Sequence, residues 1–188
     1  MTAPVRAQFP FVGLDGTAIR EEIRRELVQV LVDDHLVLPD SVLVRFRFDD
    51  PELWTRLGAE IGQTIEIRAG QLGEAAESTL FKGEVTSIEA AYEYGKRFLV
   101  IRGYDASHRL QIGRKTRSFN NVTDSDLARR IAGDAGLSVG TIDSTSTVHE
   151  HISQINTTDW EFLRWRAQEL GFKVAVRDGQ FSFGSADG

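Results

Sequence analysis

Four acidic residues stand where they could share chemistry. Asp124 and Asp126 open the stretch "NNVTDSDLARRIAGDAGL", and Asp159 and Glu161 open "INTTDWEFLRWRAQELGF". Paired carboxylates act as general acid and base when their surroundings push the two pKa values apart, and such groups can also ligate metal. His149-Glu150-His151 is a second constellation. On a strand, positions i and i+2 share a face, so both imidazoles could hold one metal ion. Arg114-Lys115-Thr116-Arg117 is the one dense basic run.

Each has a plainer reading. Aligned on their Thr-Asp pairs, the two acidic stretches match Asn121, Thr123, Asp124, Ala132 and Gly136 with Asn156, Thr158, Asp159, Ala167 and Gly171, always 35 positions apart. Asp126 also matches Glu161, and Asp134 matches Glu169. Thr123-x-x-Asp126 and Thr158-x-x-Glu161 have the spacing of a capping box. Asp124 and Asp159 then fall in a first helical turn, where the helix dipole favours an acid by ~0.3–1 kcal/mol. Gly136 and Gly171 stand where a left-handed C-cap belongs. On this reading the acids hold helices, not substrates. No third ligand joins the histidine pair, and a polar edge strand accounts for it; a four-residue run with three basic side chains fits a solvated turn. There is no G-x-S-x-G elbow, phosphate loop or H-E-x-x-H, and cysteine is absent. No enzyme activity, metal or cofactor is expected.

The elements that position these residues divide the chain. Period-2 alternation marks strands in "SVLVRFRFDD", in "TIEIRA" and in "LFKGEVTSIEAAYEYGKRFLVIRGYD", the last folding back near Tyr94-Gly95-Lys96. "IREEIRRELVQVLV" opens with helical spacing at Ile19, Ile23 and Leu27 and turns β-branched, so it should split near Glu26. Asp50 and Pro51 read as N-cap and first residue of a short helix. After Gly113 come the two helices, with apolar stripes Leu127, Ile131, Ala135 and Leu163, Ala167, Leu170. Asp178-Gly179 closes a final hairpin. The fold class is α+β, mainly β: a small β-barrel over 1–112, then an α+β segment over 113–188 with two capped helices and a β-hairpin. A helical solenoid is ruled out, because two copies cannot bury a continuous core where about three are needed.

Composition narrows the partners. Net charge −6 argues against a nucleic-acid surface. No apolar run approaches the ~20 residues that cross a bilayer, so stable membrane insertion is not expected. "MTAPVRAQFPFVG" lacks the charged and apolar regions of a signal peptide, so synthesis in the cytoplasm is expected.

Four motifs carry a family resemblance: "FKGEVT" on an outgoing strand, "RGYDASHRL" ending the return strand, "TRSFNNVTDSD" before the first helix, and "TDWEFL" opening the second. From Leu80 to Phe183 the chain resembles the phage late control gene D family. That family takes in baseplate hubs of contractile tails, the hub portion of the valine-glycine-repeat (VgrG-like) spikes of type VI secretion, and hub-spike proteins of extracellular contractile injection systems. "GYDASHRL" is closest to the injection-system branch, and residues before 80 match more loosely. The resemblance implies a homotrimer with two barrel-like domains per subunit, six similar domains making a ring that adapts a hexameric inner tube to a trimeric spike. Implied partners are other copies, the inner tube protein, a spike or C-terminal spike domain, and baseplate wedge proteins. Family members continue into an oligomer-binding-type domain and a spike, so 113–188 is expected to be part of a second barrel.

Self-association is then expected at strand edges near Val42, Val44, Phe46, Phe98, Val100 and Arg102. The basic loop with Arg109, Arg114, Lys115 and Arg117 is expected to pair with acidic neighbouring subunits. Two rival readings remain: a peptidoglycan- or glycan-processing enzyme using Asp124, Asp126, Asp159 or Glu161, and a stand-alone adaptor or binding module.

Overall fold

A computed structural model describes residues 8–35, 38–50, 52–71 and 78–185. The chain is α+β and mainly β, and it divides into two compact units, 1–105 and 106–188.

In the first unit, alternating apolar residues lay down strands β1 (Gln8–Leu14), β2 (Thr17–Ala18), β3 (Leu27–Asp33) and β4 (Ser41–Arg47), then β5 (Thr64–Gln71), β6 (Ser78–Glu93) and β7 (Lys96–Tyr104). They form one antiparallel sheet in the order β2-β1-β5-β6-β7-β4-β3. Val12 of β1, Val44 and Phe46 of β4, Ile65 and Ile67 of β5, Phe81 of β6 and Ile101 of β7 all enter one core, so the sheet curls around it. Helix α1 (Glu21–Arg24) adds Ile23, and α2 (Leu53–Leu57) adds Leu53 and Leu57. The ambiguous segment splits before Leu27, where β-branched residues take over from the charged helical turn. Asp50 plays a different role from the expected N-cap. Helix α2 starts at Leu53, and the Asp50 carboxylate accepts the Glu52 N–H at 2.8 Å and pairs with Arg56, forming a turn ahead of the helix. Pro51 lies outside the described residues.

The β6–β7 hairpin turns at Tyr94 and Gly95, whose φ values of 49° and 74° are those of a two-residue type I′ turn. Lower down, Glu84 faces Tyr104 and Val85 faces Gly103. Here the strands approach too closely for side chains. A Cβ on Gly83 would stand 2.2 Å from the Tyr104 carbonyl oxygen, and one on Gly103 would stand 2.7 Å from the Glu84 oxygen. These glycines belong to "FKGEVT" and "RGYDASHRL". Immediately above them β6 bulges between Val85 and Ser87, and its ladder with β5 ends at Glu84.

The second unit begins with a 3-10 turn (Ala106–Leu110) and continues through β8 (Lys115–Thr123), α3 (Asp124–Asp134), β9 (Ser138–Ile142), β10 (Val148–Thr157), α4 (Asp159–Leu170), β11 (Phe172–Arg177) and β12 (Gln180–Ser185). β8 and β10 make an antiparallel ribbon; β11, β12 and β9 make a second sheet in which β12 and β9 run parallel. Leu110, Phe119, Leu127, Ile131, Phe162, Leu163, Phe181 and Phe183 fill the core between these sheets and the helices. Asp178 and Gly179, with φ of 51° and 75°, turn the last hairpin.

The doubled segment is two strand–helix units, β8–α3 and β10–α4, set antiparallel. Ser118 lies directly opposite Ser153, its equivalent 35 positions on, with hydroxyls 3.4 Å apart. Meeting of equivalent positions across a ladder is what an approximate two-fold relation produces. The relation extends to the backbone, since Asn121 and Asn156 both adopt left-handed conformations, φ 52° and 46°.

Replacing Gly83 by alanine should destabilise the first unit by about 1–3 kcal/mol, since the nearest colliding atom is the Tyr104 backbone oxygen, which cannot repack as a side chain can. Gly95→Ala meets no neighbour and should cost less. Urea unfolding followed through Trp54 fluorescence measures the difference.

Candidate functional site

The acids come first, because they carried the chemical possibility. Asp159 opens α4 and is 1% exposed. Its Oδ1 accepts from Arg117 Nη2 at 2.6 Å and Gln154 Nε2 at 3.0 Å, and its Oδ2 from Lys115 Nζ at 2.6 Å. Asp124 opens α3, also 1% exposed, and receives Arg166 through Nε at 2.7 Å and Nη2 at 3.2 Å. His149 Nε2 lies 2.9 Å from Asp124 Oδ2. Burial pushes the Asp124 carboxyl up, but hydrogen bonds from Arg166 and His149 outweigh it and hold the pKa below the usual aspartate value. Asp124 is therefore a fixed anion.

The last-turn acids complete the pattern. Arg117 also binds Asp134, at 3.1 Å, and Arg166 also binds Glu169. Each arginine thus joins the opening acid of one helix to an acid at a helix C-terminus. Asp124 and Asp159 do more than complement helix dipoles, as the sequence had implied: they are buried anchors for side chains 42 positions away.

Asp126 and Glu161 serve the caps. Thr158 Oγ1 accepts the Glu161 N–H at 3.1 Å while the Glu161 carboxylate accepts the Thr158 N–H at 2.9 Å, a complete capping box. Thr123 accepts the Asp126 N–H at 3.2 Å, but the shorter Asp126 carboxylate bonds the Thr123 hydroxyl instead of its backbone. Gly136, φ 66°, ends α3 in a Schellman arrangement: its N–H reaches the Gly133 carbonyl and the Leu137 N–H reaches Ala132. Gly171, φ 69°, caps α4.

The histidines do not converge. His149 turns to Asp124, whereas His151 bonds Asn120 and Ser153, each at 2.9 Å. Among the described residues no group of three or more acidic or histidine side chains is placed to hold a metal ion.

The expected interface residues lie elsewhere than at free edges. Val42, Val44 and Phe46 are buried in the core, and β4 is hydrogen-bonded to β3 on one side and β7 on the other. Strand β7 is likewise interior, between β6 and β4. Val100 is buried, Phe98 is half-buried beneath the Arg45 guanidinium at 3.7 Å, and Arg102 is exposed 3.4 Å from Glu89. The basic loop is turned inward upon its own unit. Arg109 donates to the Gly136 carbonyl, Arg114 to the Asn156 carbonyl, and Lys115 and Arg117 to Asp159.

Among the described residues, one uncovered strand edge of the first unit is the upper part of β6. From Ser87 to Glu93 this strand pairs with β7 alone, and among the described residues no strand meets its other edge. The two-residue turn makes Glu93 and Lys96 the closing hydrogen-bonded pair, so alternation turns the N–H and C=O groups of Tyr92, Ala90 and Ile88 outward. Beside this edge is a groove of about 510 Å³ lined by Trp54, Ala59, Glu60, Ile61 and Ile88. Ile61 is 71% exposed, and Tyr94 at the hairpin tip is fully exposed. Chemically this is a strand edge with an apolar floor, suited to another strand.

The family model described as the Alg8 N-terminal domain matches residues 60–187, more than half of the chain. No curated protein matches the chain. Solved structures share its fold. The 43 kDa tail protein of prophage MuSo2 from Shewanella oneidensis aligns over 96% of this chain and 54% of its own, with TM-score 0.68 and 14% identity. A tail protein from Neisseria meningitidis MC58 aligns over 96% and 51%, with TM-score 0.66 and 18% identity. The E. coli c3393 protein, described as a component of the type VI secretion system with structural similarity to the T4 tail proteins gp27 and gp5, aligns over 92% and 48%, with TM-score 0.55 and 17% identity. The chain spans about half the length of these structures.

Asp124→Asn should cost up to about 3–5 kcal/mol, because it leaves the buried Arg166 with only the exposed Glu169 as its anion. The pH dependence follows from the lowered pKa: the stabilisation is present above the unfolded carboxylate value and is lost as pH falls through the folded one. Acid titration of stability should therefore be steeper for the parent chain than for Asp124→Asn, read by tryptophan fluorescence below about pH 4.

Proposed function

The chain belongs to the Alg8 N-terminal domain family, and on that premise we propose that it is a structural baseplate hub subunit of a contractile phage-tail-like particle. It contributes to a ring at the junction of inner tube and spike, with other copies of itself, the tube protein, the spike and baseplate wedges as partners. The three-fold arrangement, and the division of labour between a hub barrel over 1–112 and a hub segment over 113–188, belong to the same proposal. So does incorporation into the particle after synthesis in the cytoplasm.

The observation that carries this reading is the fold itself: tail proteins align over 96% of the chain. The fate of the acids supports a non-enzymatic role. Asp124 and Asp159 are saturated by cations and amides, and Asp126 and Glu161 are engaged at helix caps. None is left poised to exchange a proton with a glycan. A stand-alone adaptor is the competing outcome of the experiment.

Particles purified from producing cells and imaged by cryo-electron microscopy, with this chain carrying an N-terminal tag, should show the label at the tube–spike junction. Deleting the chain should leave particles without that junction. Label on the sheath, or a chain that never copurifies with particles, overturns the proposal.

A further inference from the structure

The outward face of the β8–β10 ribbon carries a line of polar side chains that the helix anchors do not use. Period-2 alternation turns Phe119, Ile152 and Gln154 inward and leaves Ser118, Asn120, His151 and Ser153 on the other face. Asn120 stands directly opposite His151, and Ser118 directly opposite Ser153. Ser153 Oγ lies 2.9 Å from His151 Nε2, and His151 Nδ1 lies 2.9 Å from Asn120 Oδ1. The fold does not call for this set. Asparagine suits strands poorly, and the duplicated segment has Thr116 and Ile155 at the positions 35 residues from His151 and Asn120.

Hydrogen-bond chemistry assigns the protons. The Asn120 carbonyl oxygen only accepts, so His151 carries its proton on Nδ1 and donates it there. The neutral ring then has a bare lone pair on Nε2, and the Ser153 hydroxyl donates to it. A hydroxyl bound to an imidazole whose far nitrogen is held by an oxygen is the arrangement that activates a nucleophile. Ser118 sets a second hydroxyl 3.4 Å from Ser153 Oγ, a donor beside the point of attack.

We propose that Ser153 is an acyl-accepting nucleophile, with His151 as its general base, Asn120 as the residue that positions the imidazole, and activated carboxylic esters as the substrate class. Ser153 Oγ adds to the ester carbonyl carbon while its proton passes to His151 Nε2. The bond from that carbon to the leaving oxygen then breaks, and the leaving group departs with the electron pair. His151 gives the proton to the leaving oxygen or to water, and the acyl group stays on Ser153. Asn120 and His151 are exposed, so a small ester reaches the serine from solvent. This reactivity is independent of the hub reading and stands or falls separately.

The chain contains no cysteine, so no thiol competes for an acylating probe. Treated with p-nitrophenyl acetate, the whole chain should release a burst of about one equivalent of p-nitrophenolate. Peptide mass spectrometry should place the acetyl group on Ser153. His151→Gln, with its fold checked by circular dichroism, should slow that acetylation by about 100-fold. Asn120→Asp offers the imidazole a carboxylate in place of an amide oxygen and should speed it, which a merely structural asparagine would not do. Nitrogen-15 NMR should find His151 protonated on Nδ1 in the neutral ring. Acetyl groups on lysines with Ser153 unmodified would overturn the proposal. So would a folded His151→Gln chain acetylated at the parent rate, or a neutral His151 protonated on Nε2.

Discussion

Two glycines that cannot be anything larger determine the shape of the first unit. Gly83 and Gly103 let β6 and β7 approach so closely that a methyl group on either would collide with backbone oxygen. The approach lies at the top of the β5–β6 ladder, and the next residues of β6 bulge. A bulge bends its strand and increases the local twist, so β6 swings away from β5 there. The hairpin above continues with β7 and β4 alone. Without the crossing, β5 could follow β6 further and cover the edge that is now open. The uncovered Ile88–Tyr92 segment is thus the consequence of a packing constraint some residues below it.

The second unit solves a different problem by duplicated chemistry. Two strand–helix units meet about Ser118 and Ser153, and each helix begins with an acid in a place that water does not reach. A buried carboxylate alone would be costly; here each is met by an arginine and by a further donor. Arg117 of β8 then reaches Asp134, which ties both α3 and α4 to the ribbon, and Arg166 of α4 ties that helix to the start of α3, through charges rather than apolar area alone. The price is pH sensitivity at Asp124, whose pairing with Arg166 exists only while its carboxylate is ionised.

Much of this was legible in the residue order. Helix starts, C-cap glycines and both tight hairpins have local causes, and local causes leave local signatures. The anchoring role of Asp124 and Asp159 was not, because a first-turn acid looks the same whether its helix dipole or a distant arginine holds it. One signal was present: Arg166 sits among Phe162, Leu163, Ala167 and Leu170, on the apolar face of α4, where only a buried partner would keep it. Asn121 and Asn156 were visible as a match, and asparagine is among the few non-glycine residues that take their left-handed backbone readily. Strand position was the largest miss. The alternation of Val42, Val44 and Phe46 says that one face is buried, but period-2 patterning carries no information about how many neighbours a strand has. Only the pairing shows that β4 is interior, that β2 and β3 end the sheet, and that β6 above Glu84 keeps β7 as its one strand neighbour among the described residues.

The two units dispose of their polar groups differently. The first sets a curled, aliphatic core beneath a β6 edge that, among the described residues, no strand meets from Ser87 to Glu93. The second unit engages its buried charges within itself, for Asp124, Asp159, Arg117, Arg166, Lys115, Gln154 and His151 all have partners there. The buried carboxylates that could do acid–base chemistry are thereby committed to ion pairs, while the first unit leaves backbone groups of β6 from Ile88 to Tyr92 facing outward.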